Sequence, residues 1–480
     1  MIQKLKNSYL RMQPPVKASL WFLICGFLQK GISMLTTPIF TRVMTEVEYG
    51  RFSAYNSWLA IVQIVVSLNL AAGVYTRGLV KNEEDQDRFS SSMLGLSTTC
   101  ILVWAGIYLL FQKKINELLD MSTLLMAAMF LEIWAHSAYQ FWSNRERVNF
   151  RYKKLVAVTL TYVLLRPVLG VFCVLHSDPS HQVEARVLSA LAVNVSLFSV
   201  LYFSISGKGK QFFNKRYWMY ALRFNIPLLP HYLSQIVLNQ SDRLMIQRLC
   251  GPEETAYYSV AYTLAMVLQI LNTSVSSTMN PWIYKTIKKN EVKKIGKVSY
   301  SVLMLIALLN IMVILAAPEL LSILAPGSYQ AAVWVVPPVT VSVYFMFLYN
   351  LFATFEYYFE KTHYVAMATI VGAVLNVILN ALLIPKFGFV AAGYTTLVCY
   401  ILYACAHYHF MCKVNSEYLP GEKIYNVGII LALGGVLLVS ALLIMLLYPM
   451  PAIRYGMLLL ILAMAFWKRK ALIGIIRKMR

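Results

Sequence analysis

The stretch LWFLICGFLQKGISMLTTPIF, residues 20–40, is apolar almost throughout, yet Gln29 and Lys30 stand at its centre. As a helix rising about 1.5 Å per residue it is roughly 30 Å long, the thickness of a bilayer's hydrocarbon core. A charge held at mid-depth costs at least ~2.5–3.5 kcal/mol. A spanning helix that keeps a lysine there needs either a wet cavity or a partner for it.

The rest of the chain has the same character. Of its 480 residues 59% are hydrophobic and 13% charged, and the mean hydropathy is +0.60. A soluble domain carries about twice that charged fraction. The apolar residues come in long blocks, which defines an all-α polytopic membrane protein. The seven cysteines lie mostly inside those blocks without a CxxC pair, and read as small apolar residues of membrane helices. The basic start, Lys4 to Lys17, leads straight into a full-length span, so no cleavable signal peptide is expected.

Fourteen segments read as spans: about 18–40, 52–76, 91–112, 121–142, 155–175, 187–205, 220–249, 255–280, 298–317, 331–355, 363–384, 388–411, 424–447 and 451–467. The net charge of +22 is distributed unevenly among their connections. The N-terminus, the even-numbered connections and the tail hold 32 of the 43 Lys and Arg. The other side has eight: Arg42, Arg51, Lys113, Lys114, Arg186, Arg248, Lys386 and Arg454. The positive-inside rule puts both termini in the cytoplasm. The basic excess is thus a topology signal and a face for anionic lipid, and nucleic acid is not an expected partner.

Shifted by 206 residues, the chain matches itself. Gln29, Arg42, Glu48, Ser53, Gln63 and Ile64 fall on Gln235, Arg248, Glu254, Ser259, Gln269 and Ile270. Spans 1 and 2 pair with spans 7 and 8. Six spans intervene, so the copies share an orientation, as in two parallel bundles related by an axis along the membrane normal. The expected layout is an N-terminal lobe 1–206, a C-terminal lobe 207–412, and two extra helices with a basic tail, 413–480. A substrate site is expected between the lobes near mid-depth.

Three basic residues remain outside this tally, Lys30, Arg166 and Arg243, and all three fall within spans. Gly26, Lys30, Ser33 and Thr37 share one face of span 1. Lys30 is about 15 Å from either interface, beyond the reach of a lysine stem, so it serves as a lumen-facing anion ligand or as half of a structural ion pair. Arg166 precedes Pro167 in span 5 and is either a second cation on the same cavity or a donor to carbonyls freed at the kink. In span 7, His231, Gln235, Asn239 and Asp242 form one polar face beyond two prolines. That face is either water-lined or interhelical hydrogen-bond glue. Gln29, Asn56 and Gln63 add polar groups to spans 1 and 2. Glu132 and His136 are one turn apart in span 4, with Gln140 continuing the face. They could relay a proton or form a satisfied interior pair. Gly372, Asn376 and Asn380 make a small, polar stripe in span 11. Glu356, Glu360 and His363 read as markers of an interface. There is no GxxxxGK[ST], HExxH or zinc-type cysteine cluster, and neither enzymatic activity nor a cofactor is expected.

The pieces TTPIFTRVMT (36–45), EYGRFSAYNSW (48–58) and NLAAGVY (69–75), within residues 17–78, resemble the N-terminus of bacterial oligosaccharide flippases. These form the polysaccharide transporter family of the multidrug/oligosaccharidyl-lipid/polysaccharide exporter superfamily. NQSDRLMIQRLCGPEETAYYSVAY (239–262) resembles the family's second-lobe start. The resemblance implies two lobes around a cavity in the bacterial plasma membrane. It also implies an undecaprenyl-diphosphate-linked sugar unit as substrate, moved to the outer leaflet by alternating access. Lys30, Arg166 and Arg243 would then meet the diphosphate. Gln29, Ser33, Thr37, Asn56, Gln63, His231, Gln235, Asn239 and Asp242 would line the glycan path, and Glu132 and His136 would serve coupling. Membrane lipid and the polysaccharide polymerase machinery are candidate partners, and a monomer is expected. Fourteen spans rather than twelve look more like the related lipid II flippases, whose last two helices shape a lipid groove. A cation-coupled drug exporter would instead need a carboxylate-lined cavity. A membrane glycosyltransferase or polymerase would need an outer catalytic loop that this chain does not show.

Overall fold

The computed structural model describes residues 13–467. The first twelve residues and the basic tail from Lys468 onward lie outside the described residues. Helix makes up 89% of the structure, with no strand among the described residues. Contacts divide the chain into two units, Met1–Ile236 and Val237–Arg480.

The first unit contains α1 (Pro14–Val43), α2 (Glu46–Ser67), α3 (Gly73–Lys81), α4 (Gln86–Leu110), α5 (Gln112–Leu119), α6 (Thr123–Val148), α7 (Tyr152–Leu175), α8 (Gln182–Gly209) and α9 (Lys215–Asn225). Local chemistry sets several of these ends. Pro14 opens α1, where the missing N–H costs nothing. The Thr45 hydroxyl caps α2 by accepting from Glu48 N at 3.2 Å, and Glu46 and Glu48 sit at the positive end of its dipole. Ser122 caps α6 in the same way. Helices α6 and α8 form the centre, with α4 and α7 packed on α8 and α1 packed on α7.

α10 (Leu229–Leu249) contains the boundary between the units. The second unit continues with α11 (Pro252–Lys288), α12 (Lys293–Leu315), α13 (Ala317–Leu324), α14 (Val336–Tyr358), α15 (Thr362–Phe387), α16 (Val390–Tyr418), α17 (Val427–Leu446) and α18 (Pro451–Trp467). α14 is the core, 83% buried over its apolar window. It packs against α11, α12, α16 and α17.

Each of the fourteen expected spans falls on helix, but two are broken. The second ends at Ser67 and restarts at Gly73, because Leu68 and Asn69 take left-handed backbone angles (φ 51° and 48°). The seventh starts later than expected. Residues 215–225 form the separate amphipathic helix α9, and a short turn at 226–228 containing Pro227 precedes α10. α9 belongs to the first unit. Trp218 Nε1 donates to Ser92 O at 2.9 Å, and the Tyr217 hydroxyl donates to Asp85 at 2.7 Å.

Among the described residues ten helices are long and apolar enough to cross a membrane, and α5 with α6, bent by 90°, makes an eleventh if counted as one span. The segments that fall short alone are α2, α6, α10 and the 17-residue α18. The first three carry most of the candidate functional side chains. Their polarity fails the test, and it also marks them as helices that need an interior to face.

Candidate functional site

The break between α2 and α3 is one wall of a cavity in the first unit. Its unwound carbonyls are held by side-chain amides. Asn225 Nδ2 donates to Leu68 O at 2.7 Å and to Asn69 O at 3.0 Å, and Asn144 Nδ2 donates to Ala71 O at 2.6 Å. α6 supplies the opposite wall. His136, Tyr139, Gln140, Ser143, Asn144 and Arg147 recur every three or four residues and so project from one face. Gln29 of α1 and Tyr162 of α7 complete a space of about 300 Å³.

Its interior is ordered by hydrogen bonds and ring contacts. Gln29 Nε2 donates to the Tyr139 hydroxyl at 3.2 Å, which also bonds the Thr159 hydroxyl at 2.8 Å. Tyr139 meets Tyr162 edge-on at 5.2 Å and stacks on Phe198 at 4.8 Å. Gln63 Nε2 lies 3.4 Å from His136 Nδ1. The lining contains amides, hydroxyls, aromatic faces and one guanidinium, Arg147, but no carboxylate. Such a surface can hydrogen-bond sugar hydroxyls, pack against sugar rings and attract an anion.

The structure places the sequence-derived candidates differently from one another. Lys30 is exposed, and among the described residues no hydrogen bond or ion pair engages its ammonium. Ser33 is also exposed, but Thr37 is buried and donates to Ser33 O at 3.1 Å, so the span 1 stripe is not uniformly open. Asn56 donates to Phe52 O of its own helix at 2.9 Å.

Arg166 is not an uncommitted cation. Its guanidinium donates to Glu132 at 2.8 Å, with 32% of its side chain exposed against 5% for Glu132. Glu132 also accepts from Asn194 Nδ2 at 3.2 Å and from the Tyr55 hydroxyl at 3.3 Å. This cluster joins α2, α6, α7 and α8. Glu132 and His136 share no hydrogen bond among those described: Glu132 pairs with Arg166, and His136 lies against Gln63.

On α10, His231 is half-buried and Gln235 exposed. Arg243 does not reach outward. It donates to Asn239 O at 3.1 Å and Gln240 Oε1 at 3.2 Å, and lies 4.4 Å from the Tyr262 ring centre. Asp242 is 1% exposed. It accepts from the Tyr258 hydroxyl at 2.5 Å, and from Asn380 Nδ2 and the Thr396 hydroxyl at 2.7 Å each. Asn376, Ser241 and Thr395 extend this network. Among the described residues no Lys or Arg forms an ion pair with Asp242. Asn376 and Asn380 were visible in the sequence as one stripe and Asp242 as part of another polar face, but not that Asn380 would reach Asp242, 138 positions earlier.

Sequence reasoning missed Tyr139, Asn144 and Arg147, although Gln140 had marked their helix face. It also missed His407. That imidazole Nδ1 lies 2.8 Å from Glu356 Oε1, with both side chains fully buried.

The long apolar helices and the polar interior they enclose define a polytopic membrane protein of transporter type. The chain belongs to the polysaccharide biosynthesis protein family, whose model matches residues 16–287. A second model, MatE, matches residues 227–382. A probable low-salt glycan biosynthesis flippase, Agl15, of Haloferax volcanii is 23% identical over 412 residues, covering 83% of this chain and 84% of the relative. The Lsg locus putative protein 1 of Haemophilus influenzae is 23% identical over 295 residues, covering 58% and 67% respectively. Among solved structures, the lipid II flippase MurJ in an inward closed conformation superposes with a TM-score of 0.72 at 14% identity. It covers 94% of this chain and 100% of MurJ.

Proposed function

We propose that the protein is a flippase for lipid-linked oligosaccharides, moving an undecaprenyl-diphosphate-linked sugar unit from the inner to the outer leaflet of a bacterial plasma membrane. The observation that carries this reading is the lining of the first-unit cavity, which contains amides, aromatic rings and Arg147, with no acid. The uncommitted Lys30 is the next residue after its Gln29. An exporter of cationic compounds would need the opposite polarity. The glycan rides on Gln29, Tyr139, Gln140 and Asn144, while the polyprenyl chain stays in lipid.

The energetics favour a weakly cationic path. A bare charge entering hydrocarbon meets an idealised penalty of order 20 kcal/mol. One contact at 4 Å and an effective dielectric near 20 supplies ~4 kcal/mol of attraction before desolvation. One or two such contacts lower the barrier without creating a trap. Alternating access of the two units would carry the group across.

The test is complementation of a strain lacking a flippase for the matching sugar unit. Wild type should restore surface polymer. Lys30→Ala and Arg147→Ala, at equal membrane abundance, should each reduce export at least tenfold, the loss of one ~1.4 kcal/mol interaction at the barrier. Normal polymer from both variants would refute the cationic path.

A further inference from the structure

A second cavity, of about 840 Å³, lies in the second unit and shares no residue with the site above. It forms where α12 begins, α16 ends and residues 419–426 lead into α17. Three spanning helices have their ends there, so the cavity sits at the depth of lipid headgroups. The 419–426 segment is fixed against α12. Gly296 makes room for it, because a Cβ there would collide with the Ile424 carbonyl. The Tyr300 hydroxyl accepts from Asn426 N, and the Tyr425 hydroxyl bonds Ser299 at 3.4 Å.

The lining has two characters. Lys293, Lys297 and Lys423 stand exposed at the rim, while Met411 and Ile424 form a buried apolar side. Glu422 is the single acid of the lining and lies 3.9 Å from Lys293. Three lysines less one glutamate leave two positive charges. Lys297 and Lys423 have no ion pair among the described residues. Asn415 lines the same space and is only 7% exposed, yet its Oδ1 accepts no hydrogen bond among the described residues. A buried acceptor of this kind calls for a donor from a ligand. Val427 carries the cavity onto α17, where Leu431 one turn on is 68% exposed.

We propose that this cavity binds the headgroup of an anionic phospholipid bearing a free hydroxyl. Lys297 and Lys423 hold the phosphate, the hydroxyl donates to Asn415 Oδ1, and an acyl chain follows Val427 and Leu431. A basic pocket between helix ends is the arrangement such headgroups select. The apolar side favours a lipid over a soluble phosphate. This assignment stands independently of the transport reading.

Full-length protein in detergent is titrated with phosphatidylglycerol, phosphatidic acid, phosphatidylcholine and free sn-glycerol 1-phosphate, and bound species are counted by native mass spectrometry. Phosphatidylglycerol should bind at least tenfold tighter than phosphatidylcholine. Lys297→Gln with Lys423→Gln should weaken it about 25-fold, at roughly fivefold per lysine. Lys208→Gln with Lys215→Gln, a matched exposed pair in the first unit, should change nothing. Asn415→Leu, or Asn415→Ser where the leucine variant fails to fold, should bring phosphatidylglycerol down to the level of phosphatidic acid. Equal binding of phosphatidylglycerol and phosphatidylcholine, or equal loss from both lysine pairs, overturns the site. Free glycerol phosphate binding as tightly as the lipid overturns the lipid assignment in favour of a soluble phosphate. An unchanged lipid preference in the Asn415 variants overturns the hydroxyl contact.

Discussion

Arg166 and Lys30 look alike in the sequence, since each is a cation near the middle of an apolar segment. The structure separates them by their partners. Arg166 neutralises Glu132, which is 4% exposed and also held by Tyr55 and Asn194. Removing that guanidinium leaves a buried carboxylate without its cation, which costs about 3–5 kcal/mol. Arg166→Ala should therefore lower the melting temperature in detergent sharply. Glu132→Gln combined with Arg166→Met should recover most of the loss, because the charge and its counter-charge leave together. Lys30→Ala should leave melting within about 0.5 kcal/mol of wild type, as expected for an exposed residue with no partner. An equal melting loss in Lys30→Ala and Arg166→Ala would contradict this division. The sequence could locate both cations because a charge in an apolar run stands out. It could not pair them, because the acid that claims Arg166 is 34 residues away on another helix.

The elements were legible where hydrophobic length alone decides them, and illegible where a break depends on distant support. In LNLAAG (68–73) Asn69 is a residue that tolerates left-handed angles, but nothing announces them at Leu68. A non-glycine residue pays roughly 1–2 kcal/mol for that region. The break persists because Asn225, at the end of α9, satisfies both freed carbonyls. α9 was itself hidden, since its second half, YALRFN (220–225), read as the start of a span. Asn225 is fully buried. Asn225→Ala should leave Leu68 O and Asn69 O without their donor, at about 1–3 kcal/mol. Because the break forms a wall of the cavity, export should fall with stability. Asn225→Ala should also speed proteolysis near residues 68–72 in limited digestion. Unchanged cleavage there would mean that the unwound segment holds itself without α9.

At the scale of the molecule, the polar helices decide the topology. α2 and α10 fail the test of apolarity, yet the alternation of basic connections expected from the sequence needs both to cross. If α2 did not cross, every later connection would change sides, and the 32 basic residues assigned to the cytoplasm would be divided between the two faces. At about 1 kcal/mol for each basic residue near an anionic leaflet, such a division is strongly disfavoured. Single cysteines on either side of each helix test this. In a background with the exposed Cys405 and Cys412 changed to serine, Arg42→Cys before α2 and Glu253→Cys after α10 should react with an impermeant maleimide in intact cells. Lys81→Cys and Lys208→Cys should react only after the membrane is opened. All four positions are exposed, so burial does not confound the readout. Labelling of Lys81→Cys from outside would show that α2 re-enters without crossing, and the span count would lose its even parity. Labelling of Lys208→Cys and Glu253→Cys from the same side would show the same of α10. The two copies of the 206-residue repeat would then no longer share an orientation, and the parallel-bundle basis for alternating access would fail with them.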